Sequence, residues 1–218
     1  IGSTMPAGKK RISMILLFCL LAWYSRSYLM ETEEALLLHI WNRTFHRFGS
    51  DCIYWIAMRL TIWIAVYLHL LRLENGFSVY LFLRQKSYGK VFLHTYTGCV
   101  GRAVCYYGAG TLIMAIFFGL VGSGVNPEEL LQQSGLLRIL AEESLEALSF
   151  CLAAYVAHCV FRKAELGFLA ILAGRLSLNF ATGGVRPMLP VQIAVNLILM
   201  CVVFFLAFRD FAEKYIGM

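Results

Sequence analysis

Charge is what this chain has least of. Only 15% of its 218 residues are Asp, Glu, Lys or Arg, against 60% hydrophobic, and the mean hydropathy is +0.69. A soluble domain could hardly keep that composition in solution. No GxxxxGK[ST] sequence occurs, so the chain cannot hydrolyse ATP by a P-loop mechanism. No CxxC pair occurs either. Cys19, Cys52, Cys99, Cys105, Cys151, Cys159 and Cys201 are scattered within or beside apolar runs and read as small buried residues, not as a disulfide or zinc framework. His69, His94 and His158 are dispersed and fit polar packing better than metal ligation. There is no internal repeat, no low-complexity tract and no room for a soluble domain.

What is there is a series of apolar runs. At about 20 residues per span, 218 residues suit one all-α membrane domain of six helices. Ile1-Gly-Ser-Thr reads as an expression remnant before Met5, so the domain covers 5–218. The expected spans are 12–30, 52–71, 103–121, 140–161, 166–180 and 191–208. Glu31 to Asp51 reads as a mixed outer segment. Gly122-Ser-Gly-Val is a turn, and Asn126-Pro127-Glu128-Glu129 supplies a cap, a proline and acids for a helix start. Gly108 and Gly110 in the third span allow close helix approach.

Six spans with both termini cytoplasmic place Lys9, Lys10, Arg11, Arg72, Arg84, Lys86, Lys90, Arg102, Arg162, Lys163, Arg209 and Lys214 inside, 12 of the 19 basic residues. That is the distribution the positive-inside rule requires. The net charge of +6 then reflects orientation and contact with anionic membrane lipid, with no nucleic acid implied.

The loop 72–102 is unusual for a connector. It sets Arg72, Arg84, Lys86, Lys90 and Arg102 against one acid, Glu74, around an apolar centre, Phe77-Ser-Val-Tyr-Leu-Phe-Leu. That centre is far too short to span. It suits a short helix lying across the inner membrane face with bulky side chains offered to a partner.

Three acids stand close on the fourth span: Glu142, Glu143 and Glu146. Glu142 and Glu146 share a helix face, and Glu143 neighbours Glu146. They fit either an acidic helix start at the interface or a functional group: a cation-attracting outer rim, or polar side chains facing an interior cleft. Arg59 and Arg175 would be costly facing lipid and are expected to pair within the bundle, with Asn179 near the latter. The possible substrate path or outer mouth is thus Glu142, Glu143, Glu146, Arg59, Arg175 and Asn179.

The succession from the Trp/Tyr-rich second span into Leu73-Glu74-Asn75-Gly76-Phe77 and on to Leu81-Phe82-Leu83-Arg84-Gln85-Lys86-Ser87 resembles the small six-helix permeases of bacterial type-2 ABC exporters. The likeness is closest to those of bacteriocin or lantibiotic immunity and export. It covers nearly the whole chain by topology and is motif-like only over Glu74 to Ser87. The resemblance implies a multi-pass protein of the bacterial cytoplasmic membrane that is not itself an enzyme. It implies a second permease subunit and a cytoplasmic ABC ATPase, which would hold the ATP and Mg, with no cofactor bound to this chain directly. It also implies that 72–102 holds a coupling helix seated in the ATPase, with Phe77, Tyr80, Leu81 and Phe82 as the packing knob, Gly76 at its start, and Glu74 and Arg84 as polar partners. The cargo would be an antimicrobial peptide or another amphiphile. Larger relatives place re-entrant helices between spans five and six, where this chain has only Ala181 to Pro190.

Two other classes compete. A substrate-capture subunit of a vitamin-type importer would share the six helices and bind one small molecule. An intramembrane protease of the CAAX-processing type would use a Glu-Glu pair, but Ala147 stands where that family needs Arg and no His follows His158. Gly122-Ser123-Gly124 glances at a rhomboid serine motif and lacks a partner His on a later span.

Overall fold

The computed structural model describes residues 15–20, 23, 50–74, 76–120, 136–182 and 188–215. Within them every regular element is helical and none is a strand. We number the helices α1 (Ser50–Leu70), α2 (Gly76–Gln85), α3 (Tyr88–Leu120), α4 (Leu136–Phe161), α5 (Ala164–Thr182) and α6 (Leu189–Tyr215), with a 3-10 turn at Leu71–Leu73 joining α1 to α2. Residues 15–20 are helical and belong to the expected first span. Residues 31–49 of the expected outer segment, the turn at Gly122, the cap at Asn126 and the residues 183–187 lie outside the described residues, while Ser50 and Asp51, expected to close that segment, open α1.

Among the described residues, four stretches are long and apolar enough to cross a membrane: Ile56–Leu73, Tyr88–Phe117, Leu137–Phe161 and Leu189–Tyr215. The chain therefore reads as a multi-pass membrane protein. α5, expected as the fifth span, is 19 residues long and carries Arg175 and Asn179. The segment expected as a connecting loop, 72–102, divides in two. Its first part holds the 3-10 turn and α2, whereas Lys90, His94 and Arg102 already belong to α3. At 33 residues, α3 is about 50 Å long at 1.5 Å per residue, well beyond a hydrocarbon core of about 30 Å. The surplus falls at its first turns, where Lys90 and His94 are exposed.

α4 is the centre of the bundle and packs against α1, α3, α5 and α6. Lipid is as apolar as leucine, so burial of apolar surface cannot drive this assembly; close packing and polar contacts must. An aromatic column supplies the first. Trp63 stacks on Phe150 at 4.0 Å, Phe150 meets Phe168 edge-on at 5.0 Å, and Phe168 lies 5.3 Å from Tyr67, joining α1, α4 and α5. Small residues supply the closest approach. A Cβ on Gly167 would lie 2.5 Å from the His158 backbone nitrogen and 2.8 Å from the Ala154 carbonyl, so α5 crosses α4 backbone to backbone there. Of the two glycines expected to serve α3, Gly110 sits under the Phe18 ring and Gly108 has open space.

Of the cysteines expected to be buried, Cys99 and Cys151 are, Cys19 and Cys159 are half-buried, and Cys105 and Cys201 are exposed on outward helix faces. Cys151 Sγ lies 3.3 Å from the Trp63 carbonyl and Cys99 Sγ 3.8 Å from that of Val66. No group of His, Cys, Asp or Glu among the described residues could hold a metal.

One end of the bundle gathers the basic residues. The end of α1, all of α2, the start of α3, the α4–α5 turn and the end of α6 meet there. Tyr67 Oη donates to the Ala164 carbonyl at 3.2 Å, Phe82 packs 5.1 Å from Phe211, and Tyr88 lies 5.0 Å from Phe211. Arg72, Arg84, Lys86, Lys90, Arg162, Lys163, Arg209 and Lys214 thus share one end. Two of them, Lys86 at φ 52° and Arg162 at φ 56°, hold the left-handed conformation that ends a helix. Their backbone N–H groups close back on the Phe82 and His158 carbonyls, both at 2.7 Å.

Candidate functional site

α4 distributes its three acids to three different arginines, and helical geometry explains how. Side chains three and four positions apart share a face, whereas adjacent ones diverge by about 100°. Glu142 turns back along its own helix and accepts from Arg138 Nε at 2.8 Å. Glu143 points into the bundle and accepts from Arg59 Nη2 of α1 at 2.6 Å. Glu146, one turn on, accepts from both Nε and Nη2 of Arg175 on α5, at 3.2 and 2.7 Å.

The surroundings of these pairs differ. The Arg59 and Glu143 side chains are 2% and 0% exposed, sealed in the core. Arg175 and Glu146 keep 24% and 10%. The acids expected as a cation-attracting rim therefore form a set of neutral pairs: Arg138–Glu142 lies at the surface, with Arg138 73% exposed, and the Glu146–Arg175 pair lines an opening in the bundle. Asn179 is buried one turn along α5 from Arg175.

That opening is a cleft of about 460 Å³ between α4, α5 and α6. Phe150, Ala153, Ile171, Leu178, Val195 and Leu199 make its apolar walls; Glu146, Ser149, Arg175 and Gln192 bring polar groups to it. Gly174 also lines it, and a Cβ there would meet no atom within 4 Å. Beside the cleft, Asn196 Nδ2 reaches the Ser149 hydroxyl at 2.7 Å and the Leu145 and Gln192 carbonyls at 3.0 Å, tying α6 to α4. Gln192 and Asn196 were missed at the level of sequence. Their four-residue spacing in an otherwise apolar helix is the signal that could have found them, since polar groups at membrane depth turn inward.

At the basic end, the short helix expected within 72–102 forms as α2, spanning Gly76 to Gln85. Its residues separate by face. Leu81 is 7% exposed and Phe82 packs on Phe211, so both belong to the fold. Tyr80 at 63% and Leu83 at 70% are open, and Arg84 beside them is exposed. Leu83 therefore takes the outward position expected of Leu81 and Phe82. Gly76 and Phe77 are the first two residues of α2, and the Phe77 side chain lies outside the described residues.

Glu74, expected to pair with a partner protein, instead meets His158 Nε2 of α4 at 2.8 Å. This contact joins residues 84 apart, and no local pattern announces it. A second cavity of about 450 Å³ opens around it, walled by Leu73, Tyr155, Cys159, Arg162, Asp210 and Phe211 among others.

Comparisons with protein-family models, with curated proteins and with solved structures returned no match. The functional reading rests on the two ends of the bundle: a small helix with one open face at the basic end, and a neutral ion pair at the rim of an apolar cleft further along.

Proposed function

We propose that the chain is the membrane-spanning permease subunit of a bacterial type-2 ABC exporter, driven by ATP hydrolysed in a separate cytoplasmic subunit. One observation carries this reading: α2 is an amphipathic helix of ten residues set between two long helices at the basic end, with its inner face bound into the bundle and its outer face open. By the positive-inside rule that end is cytoplasmic. Tyr80, Leu83 and Arg84 then offer an aromatic, an aliphatic and a cationic group to the ATPase.

The inner face of α2 gives it leverage. Two residues separate it from α3, the Phe82–Phe211 contact joins it to α6, and the Glu74–His158 pair just before it holds α4. A displacement of α2 on ATP closure would reach three long helices by direct contact, as rigid-body switching requires.

The cargo is an amphiphile, an antimicrobial peptide among them. Glu142, Glu143 and Glu146 are each balanced by an arginine, so net charge does not favour a cationic cargo, and the apolar cleft favours one with aliphatic surface. A working transporter needs a second permease half. The open apolar faces of α5 and α6, Leu169, Val202 and Phe205 among them, supply surface for it.

The test is co-purification in detergent with a co-expressed candidate ABC ATPase subunit, comparing wild type with Tyr80→Asp/Leu83→Asp. Retention by wild type and loss in the double variant, with the bundle intact by size exclusion, supports the permease. No ATPase in either sample, and a tightly held small molecule instead, overturns it in favour of a substrate-capture subunit.

A further inference from the structure

We infer that the cleft between α4, α5 and α6 is a phospholipid site, with the phosphate on Arg175 and one acyl chain along the apolar wall. The inference needs only the bundle and a bilayer, and stands whether or not the chain is a permease.

Depth is the first argument. Arg175 lies seven residues from the end of α5 at Thr182, about 10 Å below the helix end opposite the basic one at 1.5 Å per residue. The apolar walls continue inward from it: Ala153 is seven residues beyond Glu146 along α4, about another 10 Å, with Ile171 and Leu199 facing the same space. Leu178 and Val191 line the cleft beside and outside Arg175, and inward of Ser149 only apolar side chains, Phe150, Ala153, Ile171 and Leu199, line it, which leaves an acyl chain a path towards the midplane from a headgroup at Arg175.

Charge is the second. Arg175 places both of its bonds on the single oxygen Oε1 of Glu146, and no other described residue bonds it. A guanidinium has five N–H donors in a planar fork, so donors remain on a side chain that is 24% exposed. A fork of that kind matches phosphate oxygens. Its energetic value is greatest where water is scarce. The fully sealed Arg59–Glu143 pair, by contrast, has no access to a ligand.

Space is the third. Gly174, one residue before Arg175, leaves room where any larger side chain would stand in the cleft, and no neighbouring atom lies within 4 Å of a Cβ there. Gly174→Leu therefore brings bulk into the cleft from a position where its Cβ meets no neighbour.

The test reconstitutes the full chain into phosphatidylcholine vesicles with a trace of phosphatidylcholine carrying a photoreactive group on one acyl chain. A parallel sample uses diacylglycerol with the same labelled chain and no phosphate. After illumination, adducts are mapped by mass spectrometry. We expect adducts on Phe150, Ala153, Ile171 and Leu199, with phosphatidylcholine favoured over diacylglycerol by about tenfold, the value of one charge-assisted hydrogen bond. Gly174→Leu should remove these adducts while leaving those on the outward residues Ile198 and Phe205. Glu146→Gln/Arg175→Gln, which keeps a neutral amide pair in place, should erase the preference for phosphate. Equal labelling by the two probes means ordinary lipid solvation and overturns the site. So does labelling unchanged by Gly174→Leu.

Discussion

Arg59 Nη2 stands 2.6 Å from Glu143 Oε1, both side chains sealed from outside, 84 residues apart in the chain. The contact ties α1 to α4 at the depth where neither charge could face lipid. Removing one partner leaves the other charge buried and uncompensated, which costs about 3–5 kcal/mol. We predict that Arg59→Gln or Glu143→Gln each destabilises the bundle by that order in SDS-titrated unfolding. Arg59→Met/Glu143→Leu together should recover most of the loss, because well-packed apolar replacements of a buried pair are often neutral. Additive losses would mean that the two side chains are not coupled.

Gly167 and Gly174 sit seven residues apart on α5 and should behave in opposite ways. At Gly167 a methyl group meets backbone atoms of α4 that cannot turn aside, so Gly167→Ala should cost about 1–3 kcal/mol, as overpacking does. At Gly174 the methyl meets nothing, and Gly174→Ala should be neutral or gain up to about 1 kcal/mol from helix propensity. Apparent melting temperatures in one detergent would compare them directly.

Leu81 and Leu83, two residues apart on α2, should also separate. Leu81→Ala empties a buried position and should cost about 2–5 kcal/mol; Leu83→Ala and Tyr80→Ala should stay within about 0.5 kcal/mol, as open positions do. On the proposed permease reading, loss of ATPase retention in the two open variants with stability unchanged would separate docking from folding. A stability loss at Leu83 equal to that at Leu81 would contradict the assignment of faces.

Glu74 and His158 should be energetically coupled. A double-mutant cycle of Glu74→Ala and His158→Ala should return a coupling of about 1 kcal/mol, the usual net value of a hydrogen bond. Zero coupling would show that this contact does not tie the segment before α2 to α4.

Arg162 turns the chain from α4 into α5 at φ 56°, a conformation costing an L-residue about 1–2 kcal/mol. Arg162→Gly should relieve that backbone cost and Arg162→Val should increase it, so thermal stability should rank glycine above valine. The reverse order would show that the charge at the helix end outweighs the backbone.

The composition and the apolar runs were sufficient to establish an all-helical, multi-pass membrane protein, because a span must be long, apolar and internally hydrogen-bonded whatever its neighbours. The short helix from Gly76 was also legible, since an apolar run of that length between basic residues can neither span nor dissolve. Periodicity placed Glu142, Glu143 and Glu146 close together on one helix. It could not say which neighbour each would meet. Arg59 lies 84 residues from Glu143 and Arg175 lies 29 from Glu146; only the packing of α1 and α5 on either side of α4 brings them there. The same packing turned an apparent acidic rim into neutral pairs, and left the pair at the cleft partly open while sealing the other. Tertiary contact decided the faces of α2 as well. Leu81, Phe82 and Leu83 are all strongly apolar, and the end of α6, through Phe211, selects which of them turn inward.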